Sequence, residues 1–359
     1  MDGRALTGSR ALMGRRVLGI GVLVVALALV PAFVHSDYLL NLCDLAGIYA
    51  IAVMGLGILL GFAGQMSLAQ AAFFGIGAYT SAWFTTHLGW PVWPSMALAV
   101  VLSALVGLGV GYPCLRLSGH YLALATIGFG IITQLVLINW KDVTNGSDGI
   151  SGIPAPVLGP WTLDTYGTYY YVVLAAVLVA AYVAWRIKTT RVGRALEAIR
   201  ENELAARATG IDATRYKIVA FVLSGAYAGL AGSLLAHSIK FVSPDSYSFD
   251  QSVVFLVMLI LGGSSSIGGA VLGAVLLTFL PEVLRPLKSS YIMVYGAAVV
   301  VMVIFMPKGL MGLIETLRGR WTGPRTGPPL AASTATGATT ATSVSAATGA
   351  PAVTRADTA

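Results

Sequence analysis

Between Asp37 and Lys141 only Asp44 and Arg116 carry a charged side chain. A soluble domain draws about a quarter of its residues from Asp, Glu, Lys and Arg; here the figure is 10% over 359 residues, with 57% hydrophobic. A fold of this size in water needs a charged surface, and this stretch has nothing to build one from. A bilayer imposes the opposite demand, since a charge at its centre costs roughly 2.5–3.5 kcal/mol on insertion scales. The 42 glycines, which would weaken helices in water, let helix backbones approach closely in lipid. The chain therefore reads as an all-α integral membrane protein.

A span needs about 20 apolar residues, and the candidates are 17–34, 39–62, 68–87, 94–114, 119–139, 169–185, 217–237, 251–280 and 291–307. Residues 1–16 hold Arg4, Arg10, Arg15 and Arg16 ahead of the first apolar run. That pattern fits an anchor helix better than a signal peptide, because 18 apolar residues follow and further spans come behind. Basic residues mark cytoplasmic loops. Residues 186–217 hold eight basic and four acidic residues, whereas 141–168 holds one Lys and three Asp. Both termini and the 186–217 loop are thus expected inside, and 141–168 outside. Nine spans would break that parity at Lys308, Arg318, Arg320 and Arg325. The thirty residues of 251–280 resolve it: as one helix they would reach about 45 Å across a core of about 30 Å. Their middle, Gly262 to Gly269, reads GGSSSIGG. Two shorter helices folded on each other give about ten passes, although Arg285 and Lys288 then fall outside.

Broken helices at membrane depth are tolerated where protein or a water-filled cavity covers the backbone. A second such stretch is Gly61-Phe62-Ala63-Gly64-Gln65-Met66-Ser67. The two interruptions lie in opposite halves of the chain, the arrangement expected of a pathway between two pseudo-repeated halves; close helix packing is the alternative. Candidate path residues are Gln65, Ser67 and Gln70 at the first break, and Thr126 and Gln134 in the fifth span. Interhelical hydrogen bonding is the competing role for each. Asp44 reads as interfacial, with attraction of a substrate ammonium as its other possible role. Cys43 and Cys114 read as small hydrophobes, and His35, His87, His120 and His237 as interfacial or packing residues. Neither set has metal-ligand spacing. Residues 322–359, rich in Ala, Thr, Ser, Gly and Pro, read as a disordered tail. The +7 charge clusters beside apolar runs, without the aromatics that would suggest nucleic acid.

Three blocks carry a resemblance. They are Gly64 to Tyr79 (GQMSLAQAAFFGIGAY), Thr144 to Pro154 (TNGSDGISGIP) and Arg191 to Glu203 (RVGRALEAIRENE), the last running on to Ala205, Ala206, Gly210 and Ile211. Over roughly residues 35–315 the chain resembles the branched-chain amino acid ABC-transporter permeases, specifically the M-type of two paralogous subunits. It departs from the family at Ala69-Gln70, where Gly-His is common, and at Asn145, where Gly is usual. Urea and short-amide permeases are close relatives. By itself, 194–209 reads as a polar helix with Glu203 and Arg207 spaced i,i+4. Leu196 and Ile199 share one side, with Leu204 further on; so short a helix needs a surface to dock against.

The resemblance implies a transport subunit without cofactor or catalytic centre. Its coupling residues would be Arg194, Glu197, Arg200, Glu203, Ala205, Ala206 and Gly210. The partners implied are a homologous second permease subunit, two ABC ATPase subunits and an extracytoplasmic substrate-binding protein, in the bilayer of a bacterial inner membrane. The chain contains no Gly-Lys dipeptide, so the phosphate cradle of an ATPase must come from another chain. The rival readings are import of urea or short-chain amides, ion-coupled secondary transport, and a membrane enzyme. The last is disfavoured because no cluster of catalytic residue types falls within the spans.

Overall fold

The computed structural model describes residues 25–33, 36–114, 119–158, 161–286, 293–294, 296–297, 300–301 and 309–312. Most of the 17–34 and 291–307 candidate spans, with His35, Arg116, Lys288 and the 322–359 tail, lies outside the described residues.

Ten α-helices of six or more residues organise the described residues. They are α1 (Asp37–Leu56), α2 (Gln70–His87), α3 (Val92–Cys114), α4 (His120–Asn139), α5 (Tyr166–Thr189), α6 (Arg191–Glu201), α7 (Glu203–Ala208), α8 (Ala213–Ile239), α9 (Phe249–Gly262) and α10 (Ile267–Leu284). Six described stretches are long and apolar enough to cross a membrane: 37–62, 92–113, 120–139, 166–189, 213–239 and 267–284. At 18 residues α2 is long enough but too polar to join them. With 14 residues, α9 reaches only about 21 Å. About ten passes were expected; six are seen among the described residues.

The centre of the bundle is α8, packed on α1, α2 and α3. Its small residues make this possible. A Cβ on Gly229 would collide with the Ser103 side chain of α3 and lie 3.0 Å from the Ala99 carbonyl oxygen, and a Cβ on Gly77 of α2 would collide with the Gly229 backbone. This close approach is the small-residue packing that replaces the hydrophobic effect between helices in lipid. Phe73, Phe74, Phe221 and Phe255 fill the space beside it. On the outside, Ile131, Ile132 and Leu135 of α4 are exposed, a surface for lipid or another chain to cover.

Both expected interruptions are present. Past Leu56, α1 continues as wider π-helical turns, Gly57–Phe62, then ends as Gly64 takes φ +68°. An unwound segment leads to α2. The 251–280 run divides at Gly263, where φ is +112°, and Ser266 caps α10 by accepting from the Gly269 N–H. Helices α9 and α10 fold against each other, with Gly262 against Gly269 and Gly273 against the Met258 carbonyl. The 194–209 segment differs from the expected single helix. Asn202 is extended (φ −157°, ψ 106°) and its side chain accepts from the Ala205 N–H at 3.0 Å, ending α6 and starting α7. An Asn that can satisfy backbone donors offers the chain an alternative to continuous helix.

At the end of the bundle opposite α6 and α7, β1 (Ile150–Ser151) pairs antiparallel with β4 (Phe241–Val242), and β2 (Val157–Leu158) with β3 (Trp161–Thr162). Asn145 adopts φ +60°, and its side chain donates to the Gly149 carbonyl at 2.8 Å. A left-handed residue is where glycine is at home and Asn is tolerated, which accounts for the departure there.

Candidate coupling and translocation site

At the basic end of the bundle the two interruptions meet. A Cβ on Gly61 would collide with the Ser264 carbonyl. The void beside this contact holds only about 10 Å³, lined among others by Met54, Ile58, Phe62, Ser264 and Ala270. Two cations reach the same place. Arg200, in the last turn of α6, donates from Nη1 to the Gly61 carbonyl. Lys188, in the last turn of α5, donates to the Ser265 carbonyl at 2.8 Å and stands 5.3 Å from the centroid of the Phe62 ring.

Helix α6 is held by its apolar side, with Leu196 and Ile199 buried. Ile199 packs with Ala206 of α7 and Ala213 of α8. Leu204 does not join them: it is 80% exposed, because the break at Asn202 turns it outward. Glu203 ties α7 to α8, accepting from Arg207 at 2.7 Å and from Lys217 at 2.7 Å, where the Lys217 side chain is only 6% exposed. Burial pushes the Glu203 carboxyl up, but the hydrogen bonds and charges of Lys217 and Arg207 outweigh it and hold it below its ordinary value. Of the other coupling candidates, Arg194 is exposed and donates to the Thr189 carbonyl at 3.3 Å, and Glu197 is half-buried. Ala205 and Gly210 are exposed, Gly210 with φ +86°, and Ala206 is buried.

The path candidates fall into two groups. Ser67, Gln70 and Thr126 gather around the first break and are buried. Gln70 donates to the Ala52 carbonyl at 2.7 Å and accepts from Ser224 at 2.8 Å, joining α1, α2 and α8. Thr126 accepts from the Leu68 N–H at 3.0 Å and donates to the Ala123 carbonyl at 2.8 Å. Ser67 accepts from the Ala69 N–H at 3.3 Å. Their polar atoms hold the unwound segment in place, and Ser252 joins them by accepting from the Ala71 N–H at 3.0 Å. Gln65 is half-buried, with one long bond of 3.4 Å to the Ala63 carbonyl. Gln134, also half-buried, stands apart, two turns further along α4 than Thr126.

Asp44 lies inside the bundle rather than on its surface. Its side chain is wholly buried, and neither carboxylate oxygen has a hydrogen-bond partner. The cause is α5, which crosses α1 one turn away at Gly47; a Cβ there would meet Val173 at 2.7 Å. His237 is a packing residue: its Nδ1 donates to the Pro154 carbonyl at 2.8 Å, so a neutral ring accepts the Ser81 hydroxyl at Nε2, also 2.8 Å. His87 stacks on Trp83. Cys43 is free and half-buried.

Sequence reading missed Lys188 and Lys217 as site residues. The only local signal was two cations at the end of an apolar run, which the count of loop charges absorbed. At the opposite end, a cavity of about 370 Å³ is lined by residues that include His87, Lys141, Asp142, Asn145 and Ser151.

Apolar spans around a small-residue centre, with two helix interruptions in contact, one bonded by a polar helical segment and the other by the end of the span before it, define a polytopic membrane permease. The chain belongs to the family described as branched-chain amino acid transport system / permease component, whose model matches residues 38–314. That membership makes it a transport component rather than an enzyme. It is similar to the high-affinity branched-chain amino acid transport system permease protein LivM of Salmonella typhimurium (strain LT2), at 36% identity over 315 residues, 81% of this chain and 73% of that one. LivM of Escherichia coli (strain K12) is 35% identical over 315 residues, 81% of this chain and 74% of the relative. The permease protein LivH of the same strain is 26% identical over 301 residues, 77% of this chain and 94% of the relative. No solved structure matches the chain.

Proposed function

We propose that the chain is one permease subunit of an ABC importer that carries branched-chain amino acids across a bacterial inner membrane by alternating access. It pairs with a homologous permease of the LivH kind; similarity to both LivM and LivH supports a pair built from two related chains. Two ATPase subunits dock, one at α6 and α7 of this chain and one at the equivalent segment of the second permease, and a substrate-binding protein docks at the opposite end, beside the 141–168 loop. Residues 186–217 and both termini lie in the cytoplasm, and the two halves of the chain are related as repeats, each carrying one interruption.

The supporting observation is the build of α6–α7. Its inner side is anchored through Leu196, Ile199 and Ala206, while Leu204 projects outward with none of the described residues covering it. An exposed leucine on an anchored polar segment is what a partner's groove would receive. Each nucleotide state of the ATPases then favours one permease conformation.

The test is uptake into proteoliposomes holding the complete transporter, with its binding protein. Leucine, isoleucine or valine uptake that needs ATP is the expected result. ATP-dependent uptake of urea or a short amide, with none of leucine, would overturn the substrate, and uptake driven by an ion gradient without ATP would overturn the class.

A further inference from the structure

We propose that Arg200 and Lys188 are positioning residues that clasp the two helix interruptions together and so keep the path shut at this end. The inference rests on the importer reading for its role in transport, but the clasp itself stands on geometry. The last carbonyls of any helix have no donor within it and carry its negative dipole end. One such end, the close of α1, lies here beside the turn that joins α9 to α10. In the wide turns closing α1, the backbone N–H groups of Ala63, Gly64 and Gln65 go to Ile58, Leu60 and Leu59. They pass over Gly61, whose carbonyl takes the Arg200 guanidinium instead. Beyond the end of α9, Ser265 offers its carbonyl to Lys188 at 2.8 Å. At Gly61 the cation satisfies both the hydrogen bond and the dipole end of α1, whereas at Ser265, just ahead of the α10 N-cap Ser266, it supplies the hydrogen bond alone.

The placement of the two donors gives the clasp its meaning. One sits at the end of α5 and the other at the far end of α6, which follows directly after Thr190, so consecutive helices hold the two interruptions. The chain leaves no slack between them. Gly61 abuts Ser264, and a Cβ on Gly64 would come within 3.0 Å of the Arg200 Cγ. Lys188 also rests on Phe62, which is buried beside the junction. Any displacement of α6 that draws Arg200 off Gly61 therefore loosens the seam between the interruptions, and the seam is what stands over the small void at Ala270.

The test uses the full-length protein in its complete transporter, in nanodiscs, with Cys43 and Cys114 replaced by Ser and a single reporter, Ala270→Cys, behind the seam. Ala270 is 1% exposed, so an impermeant maleimide should react slowly while the clasp holds. Arg200→Gln and Lys188→Gln should each speed alkylation by about tenfold, the scale of one lost charge-assisted hydrogen bond, and depress uptake. Arg200→Lys retains the charge with a shorter reach and should label at an intermediate rate; being the milder change, it decides the matter if a Gln variant does not assemble. Wild-type labelling rates in the assembled variants overturn the clasp. Labelling needs neither substrate nor ATP, so a transporter that fails to import amino acids would sink the importer reading while leaving the clasp to be judged separately.

Discussion

Glu203 holds two cations of different kinds. Arg207, four residues on, is mostly exposed, whereas Lys217 is buried with Glu203 as its ion-pair partner. Glu203→Ala leaves an ammonium without its carboxylate and should cost about 1.5–3 kcal/mol locally, read as lost amide-exchange protection across α7 and the first turns of α8; Arg207→Ala should cost well under 1 kcal/mol. The pH dependence follows from a folded pKa held below the ordinary 4.5. The contribution is whole above 4.5 and is lost as the pH falls through the lower folded value, so protection of α7 should fade only in acid below about 4.5. Wild-type-like protection in Glu203→Ala would contradict this. The i,i+4 pair was legible in the sequence because helix geometry alone makes it. Lys217 was not, since it reaches Glu203 only after Gly210 turns the chain at φ +86°. The burial of Asp44 was illegible for a related reason: position within an apolar run says how deep a carboxylate lies, not whether α5 crosses over it.

The helices themselves were largely visible as apolar runs, and their ends were not. By its capping side chain, Asp212 starts α8 at Ala213, accepting from the Arg215 N–H at 3.2 Å. The run of hydrophobic residues suggested 217. The Gly-rich interruptions were legible as poor helix, but their contact with each other depends on folding two distant segments together, which no local pattern encodes. Nor did composition say which glycines matter. Gly229 is set between α2 and α3 where a Cβ has no room, whereas Gly109 faces open space. Gly229→Leu should therefore separate helices and lower the yield of folded protein sharply, an overpacking penalty of about 1–3 kcal/mol or more. Gly109→Leu should leave melting in detergent nearly unchanged. Equal melting temperatures for the two would show that α8 is not the packing centre.

For the whole molecule, orientation was argued from the eight basic residues of 186–217. Asn202 is exposed at the corner between α6 and α7, so Asn202→Cys is a direct probe. An impermeant thiol reagent should modify it in inverted membrane vesicles and spare it in intact cells. The reverse pattern would place the coupling segment on the wrong side and remove the importer reading with it. Among the described residues six candidate spans are seen where about ten passes were expected: 18 residues of α2 are too polar to count, 14 of α9 are too few, and the chain's two ends fall largely outside the described residues. The wide turns at Gly57–Phe62 carry one further consequence. A helix that winds loosely over six residues can tighten into ordinary α-helix, which has fewer residues per turn and so adds a fraction of a turn over the same stretch. Rewinding this segment would act as a screw: Gln65 and Ser67 would swing about the α1 axis while the axis itself stayed where it is, a gate movement that asks no span to tilt.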